Sequence, residues 1–179
     1  MDYNISFEKL DHIKKYWLND AKNLVIALSK IYGDIALAKL SQQFEAPTSF
    51  ENKLLSNSDT LIRKITLSNS NETLVFARTV IPKNTYNFFM AELNELGTKP
   101  IGDNLLFDKE RFRRDDFIIR ELPTDVFKNE ASIDSSFFDG NKTNNIYSRS
   151  SVFTFKANTN IKMLITEYFL VVPEVTNAN

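Results

Sequence analysis

"LIRKITLSNSNETLVFARTVIP" spans residues 61–82. Two alternating apolar runs, Leu61–Leu67 and Leu74–Ile81, flank the polar stretch Ser68–Thr73, which is the pattern of a β-hairpin. Successive strand side chains point to opposite faces. Arg63 therefore shares its side with Leu61, Ile65 and Leu67, and Arg78 shares its side with Leu74, Phe76 and Val80. An unpaired charge on a buried face is costly. Each arginine needs an ion-pair partner, a route to the sheet edge, or an anionic ligand.

A second hairpin is expected near the C-terminus, from "YSRSSVFTFKA" (147–157) and "NIKMLITEYFLVVP" (160–173). In the latter, Glu167 is the only charge in the row Ile161, Met163, Ile165, Phe169 and Val171. Arg149 lies in a row with Tyr147, Phe153 and Phe155. Further strands are expected around "DIALAKLSQQFEA" (34–46) and "FIIREL" (117–122). Helical spacing appears in Phe7, Leu10, Ile13 and Trp17, and again in Leu24, Leu28 and Ile31 before Gly33. It recurs in Phe89, Leu93 and Leu96 before Gly97. Residues 47–60 and 123–146 are polar and predict loops, and 174–179 predict a frayed tail. The whole chain, 1–179, is expected to form one α+β domain with a core over about 17–173 and a largely antiparallel sheet.

Composition removes several function classes. With 42% apolar residues in 179, a substantial core is possible. Basic and acidic residues number 22 and 23, which argues against nucleic-acid binding through bulk charge. There is no cysteine, and His12 is the single histidine, so Cys-ligated metals, thiol nucleophiles and multi-His metal sites are excluded. No metal and no cofactor are expected. No apolar run is long enough to span a bilayer, and the N-terminus has no apolar signal core. The expectation is a cytoplasmic monomer without membrane insertion.

Six motifs, in order, carry a resemblance: "YWLND", "LIRKITL", "FARTVIP", "LGTKPIG", "SRSSVF" and "ITEYFLVVP", from about Trp17 to Pro173. Together they resemble the chorismate lyase family of ubiquinone biosynthesis. That resemblance implies a single antiparallel sheet with helices on one side and a ligand pocket sealed under flaps. It implies conversion of chorismate to 4-hydroxybenzoate and pyruvate without a cofactor, and inhibition by product. It also assigns residues. Arg63 would grip the ring carboxylate, and Arg78, lining the site alone or with Arg149, would meet the enolpyruvyl carboxylate or the developing enolate. The backbone amide of Ile101 would contact the carboxylate, with a further helix contact from Leu24 or Val25. Glu167 would face the hydroxyl end and could serve as acid or base. Ser150 stands where the family often has a second arginine, and the 123–146 stretch is longer than usual. The same fold resembles the effector domains of transcriptional regulators, so a non-catalytic binder of aromatic acids is the alternative. Such regulators carry a winged-helix domain for which the sixteen residues before Trp17 are too few.

Overall fold

The register of the 61–82 hairpin sets the two faces of the sheet. In the computed structural model, which describes residues 3–133 and 145–176, β2 (Thr60–Ser68) and β3 (Thr73–Pro82) are antiparallel, with Arg63 opposite Thr79 and Lys64 opposite Arg78. The turn end pairs Ser68 with Thr73, and the register then shifts at Leu67 and Ser68. Without that bulge, Arg63 would face Arg78. The extra residue, Leu74, moves every later β3 side chain to the other face, as a one-residue slip must.

Around this hairpin the sheet is completed by β1 (Ala36–Glu45), β4 (Phe112–Arg114), β5 (Ile118–Pro123), β6 (Asn145–Phe155) and β7 (Lys162–Phe169). The order is β1-β2-β3-β7-β6-β4, with β5 also pairing β6, and every pairing is antiparallel. Continuing the register gives a front face of Arg63, Ile65, Ala77, Thr79, Ile165, Glu167 and Arg149. Lys64, Arg78, Thr166 and Ser150 lie on the back.

Two apolar clusters cover the front. One joins Trp17, Leu18 and Leu28 to Leu67, Val75 and Phe169. The other joins Phe89, Leu93, Ile101 and Leu105 to Leu61, Ile81, Met163 and Phe153. The first rests on α1 (His12–Lys15), a π-helical turn (Tyr16–Asp20) and α2 (Leu24–Tyr32). Asn23 caps α2 by accepting from the Ile26 amide, and Gly33 ends it at φ 76°, a conformation glycine adopts without a Cβ penalty. The second rests on α4 (Lys83–Phe88), α5 (Met90–Glu95) and a π-helical turn (Gly102–Leu106). The tail is tied down at least to Val175, whose carbonyl accepts from the Trp17 indole at 2.9 Å, where a fray from 174 was expected.

Helices also occupy the back, where a one-sided arrangement was expected. α3 (Ser49–Leu55) and α6 (Thr124–Ala131) fall within two stretches expected to be loops. Residues 134–144 of the second stretch lie outside the described residues. The signal for α3 was present as "TSFE": Thr48 accepts from the Glu51 amide, and Glu51 accepts from the Thr48 amide, a capping box.

Glu51 has a second duty. It accepts from Arg78 Nε at 2.6 Å and from Nη2 at 3.2 Å, with both side chains 1% exposed. Arg78 is thus a correction: the bulge sends it to the back, where it pins α3 to the sheet and does not line the front with Arg63. Removing one partner from a buried pair leaves an uncompensated charge. Glu51→Gln is expected to cost about 3–5 kcal/mol, read as a lower urea midpoint. An unchanged midpoint would contradict this role for the pair.

Candidate active site

Between the two front clusters runs a seam floored by small side chains. Ala77 and Thr79 of β3 sit between β2, which carries Arg63 and Ile65, and β7, which carries Ile165 and Glu167. Neighbouring strands lie about 4.8 Å apart, so Arg63 and Glu167 stand on strands about 10 Å apart across this floor. The seam holds a small cavity of about 50 Å³ lined by Leu24, Val25, Ile65, Ala77, Thr79, Ile101, Phe107, Ile165 and Glu167 among others.

The roof comes from two segments. One is the start of α2, where the Leu24 and Val25 amides belong to the first turn and have no intrahelical acceptor. Both residues line the cavity, so the choice between them is a matter of which amide a ligand reaches. The other segment is the turn from Gly97 to Gly102. Gly97 adopts φ 55°, and Ile101 precedes the π-helical turn. The two lips meet where Asn23 Nδ2 donates to Asp103 Oδ1 at 2.6 Å, an exposed contact. At Gly102 a Cβ would lie 2.5 Å from the Phe107 ring, so any larger residue would have to displace that ring from the cavity wall.

Arg63 clamps the second lip. Its Nη1 donates to Gln42 Oε1 at 2.9 Å, and its Nη2 donates to the carbonyls of Gly97 (2.9 Å) and Lys99 (3.1 Å). Those bonds use three of the five guanidinium N–H groups, which leaves donors for an anion. Burial lowers the pKa of this guanidinium below its ordinary value.

At the other end, Glu167 accepts from Arg149 Nε. Its partner is therefore Arg149, neither of the arginines in the first hairpin. Arg149 is fully buried, and its Nη1 donates to the Trp17 and Ala21 carbonyls, both at 2.8 Å. Its Nη2 is buried without a hydrogen-bond partner. The guanidinium lies over Phe117 at 4.5 Å. Ser150 is on the back, bonded to Thr166, so its departure from the arginine common in the family leaves the front untouched.

The structure thus gathers Leu24, Ile101 and Glu167 on one cavity, keeps Arg63 on the same face beside it, and removes Arg78. Sequence reasoning missed Asn23, Asp103 and Phe107, which line the cavity or close its lips.

The sequence model described as chorismate lyase matches residues 4–178. The probable chorismate pyruvate-lyase of Pseudoalteromonas atlantica is 28% identical over 162 residues, covering 86% of this chain and 77% of that protein. The protein of the same name from Coxiella burnetii is 33% identical over 116 residues, or 63% and 62% of the two chains. Among solved structures, the PhnF C-terminal domain aligns over 80% of this chain and 87% of its own, with TM-score 0.55 and 9% identity. The effector binding domain of the B. subtilis trehalose repressor aligns over 80% and 99%, with TM-score 0.51 and 12% identity. At such identities these two show the fold alone.

Arg149 joins the sheet, the carboxylate and the π-helical turn. Arg149→Met is expected to leave Glu167 unpaired and to cost about 3–5 kcal/mol. Trp17, the only tryptophan, reports the transition by fluorescence. A midpoint equal to that of the unaltered protein would show the pair to be dispensable.

Proposed function

The chain belongs to the chorismate lyase family, and on that premise we propose that the front cavity converts chorismate to 4-hydroxybenzoate and pyruvate, the first step towards ubiquinone. The observation that carries this is the pair of opposite charges, Arg63 and the Arg149-bound Glu167, at the two ends of a small-residue floor. A flat ring with a carboxylate at one end and a hydroxyl at the other matches that spacing. The ring carboxylate takes the spare donors of Arg63 and the amides of Leu24 or Val25 and of Ile101. The C4 hydroxyl meets Glu167. Apolar walls above and below hold the ring.

The reaction is an elimination. The C4 hydrogen leaves as a proton and its bonding pair completes the aromatic ring. The C3–O ether bond breaks, with its electrons passing to the departing enolpyruvate oxygen. A proton returns to the methylene carbon to give pyruvate. Aromatisation drives the step, and the protein's part is to orient the dianion and stabilise charge on the departing group. Glu167 stands at the C4 end, where a proton is lost, and Arg149 holds its carboxylate in place.

The cavity as it stands is smaller than an aromatic ring, since benzene occupies an engineered cavity of about 150 Å³. Loading therefore requires the lips joined by Asn23 and Asp103 to part. The product keeps the ring, the carboxylate and the hydroxyl, so it competes with substrate and leaves only when the lips reopen.

Three measurements test this reading. Chorismate mixed with the protein is expected to yield 4-hydroxybenzoate, followed by absorbance. Glu167→Gln is expected to lower kcat by about 100-fold or more while KM changes little. A variant with normal kcat and KM and a lowered melting temperature would assign Glu167 to folding alone. Arg63→Ala is expected to weaken 4-hydroxybenzoate binding by about 1.5–3 kcal/mol, the worth of a hydrogen bond to a charged group. Equal affinity by calorimetry would place Arg63 outside the site.

A further inference from the structure

Chorismate carries two carboxylates and 4-hydroxybenzoate only one. The cavity described above accounts for the shared one. A second, larger cavity of about 530 Å³ opens beside it and shares Asn23 and Phe107 with it. Its walls include the rings of Phe112, Phe117 and Phe153, and its cations are Lys22, Lys109 and Arg114. Asp115 and Asp116 also lie on it, and Asp115 is 3.4 Å from Arg113.

Arg114 is the cation nearest in kind to a ligand fork. It ends β4, and its Nε donates to Ser151 Oγ at 3.2 Å while Nη1 donates to the Lys22 carbonyl at 2.8 Å. Its guanidinium stacks over Phe117 at 4.2 Å and lies 5.0 Å from the Phe153 ring. Among the described residues no carboxylate comes within ion-pair distance of it. Nη2 is not engaged in any of these bonds. Burial pulls its pKa down to about 10, Glu167 opposing that shift and Arg149 adding to it. The same burial, with Arg114 and Arg149 nearby, lowers Lys22. Lys22, Arg114 and Arg149 thus lie close enough to act on one another, on the side of the seam where Arg149 keeps a buried, unpartnered Nη2. Glu167, Asp20 and Asp116 offset part of this positive charge, and a ligand carboxylate at Arg114, which has no ion-pair partner of its own among the described residues, would offset more.

We propose that Arg114 is a specificity-determining residue that binds the enolpyruvyl carboxylate, and that the aromatic-walled cavity is the subsite for that arm. This rests on the reading of the front cavity given above. The geometry follows from the substrate. The ether carbon C3 is next to C4, so with C4 at Glu167 the arm leaves the ring beside Arg149 and enters the cavity that holds Arg114. A planar guanidinium already stacked on Phe117 is preorganised to meet a carboxylate side-on. When the ether breaks, negative charge grows on the oxygen of that arm, within reach of the same cations. Pyruvate, carrying this carboxylate, departs through the larger cavity, and the aromatic product stays behind in the smaller one.

The test separates the two carboxylates. Arg114→Gln and Arg114→Lys are compared with the unaltered protein in chorismate turnover, in chorismate binding and in 4-hydroxybenzoate binding by calorimetry, with melting curves on the same preparations. Arg114→Gln is expected to lose about tenfold or more in kcat/KM for chorismate, with the 4-hydroxybenzoate Kd within about twofold. Arg114→Lys, which keeps the charge and loses the fork, is expected to lie between. A structural role would weaken both ligands together, and that parallel loss would overturn the proposal, as would unchanged kcat/KM in Arg114→Gln. An unaltered protein that neither turns over nor binds chorismate would overturn the underlying reading, and this one with it. An active unaltered protein with an indifferent Arg114 overturns this one alone.

Discussion

The Arg149–Glu167 pair is the constraint around which the front of the sheet is arranged. It lies on adjacent strands, β6 and β7, in the row that separates two apolar clusters. Buried charge is tolerated only when paired and hydrogen-bonded. The guanidinium meets that requirement by reaching the carbonyls of Trp17 and Ala21, which draws the π-helical turn and the start of α2 down onto the sheet. The roof over the seam is therefore placed by the same side chain that holds the carboxylate below it. Arg63 does the corresponding work at the other end, where it binds the carbonyls of the turn that leads to Ile101. Each end of the cavity has an arginine that fixes one lip.

The two faces divide the buried charge by purpose. On the back, Arg78 with Glu51 and Arg120 with Glu130 join the sheet to α3 and α6. These pairs hold helices down, with Arg78 Nη1 and Arg120 Nε left buried without a hydrogen-bond partner. On the front, Arg63 retains spare N–H donors, Arg149 has an unpartnered Nη2, and Arg114 has no carboxylate within ion-pair distance among the described residues. Unused donors occur on both faces, so what distinguishes the front is its small-residue seam and the cavity that seam floors.

The hairpins, the order of helices and strands, and the front row of Glu167 were legible because alternation and helical spacing are local properties of sequence. Arg63 and Glu167 stood out as charges on apolar strand faces, whereas Ile101 and Leu24 were named as candidates only through the motifs that surround them. Arg78 shows the limit. Alternation fixes which residues within one strand share a side, but the side shared between strands depends on register. Here a single extra residue, Leu74, decides it. Arg114 shows a second limit, since its partners Ser151, Lys22 and Phe117 come from three separate segments. The helix at 49–55 was legible in principle from its capping box, but the surrounding serines and asparagines masked it.

A structure of the protein with bound 4-hydroxybenzoate tests most directly the claim that the front seam, and not the charged back face, is the site. The ring is expected over Ala77 and Thr79, with its hydroxyl at Glu167 and its carboxylate towards Arg63 and the amides of Leu24 or Val25 and Ile101. A ligand on the side of Arg78 and Glu51, or one lying in the seam with its carboxylate at the Glu167 end, would contradict the account.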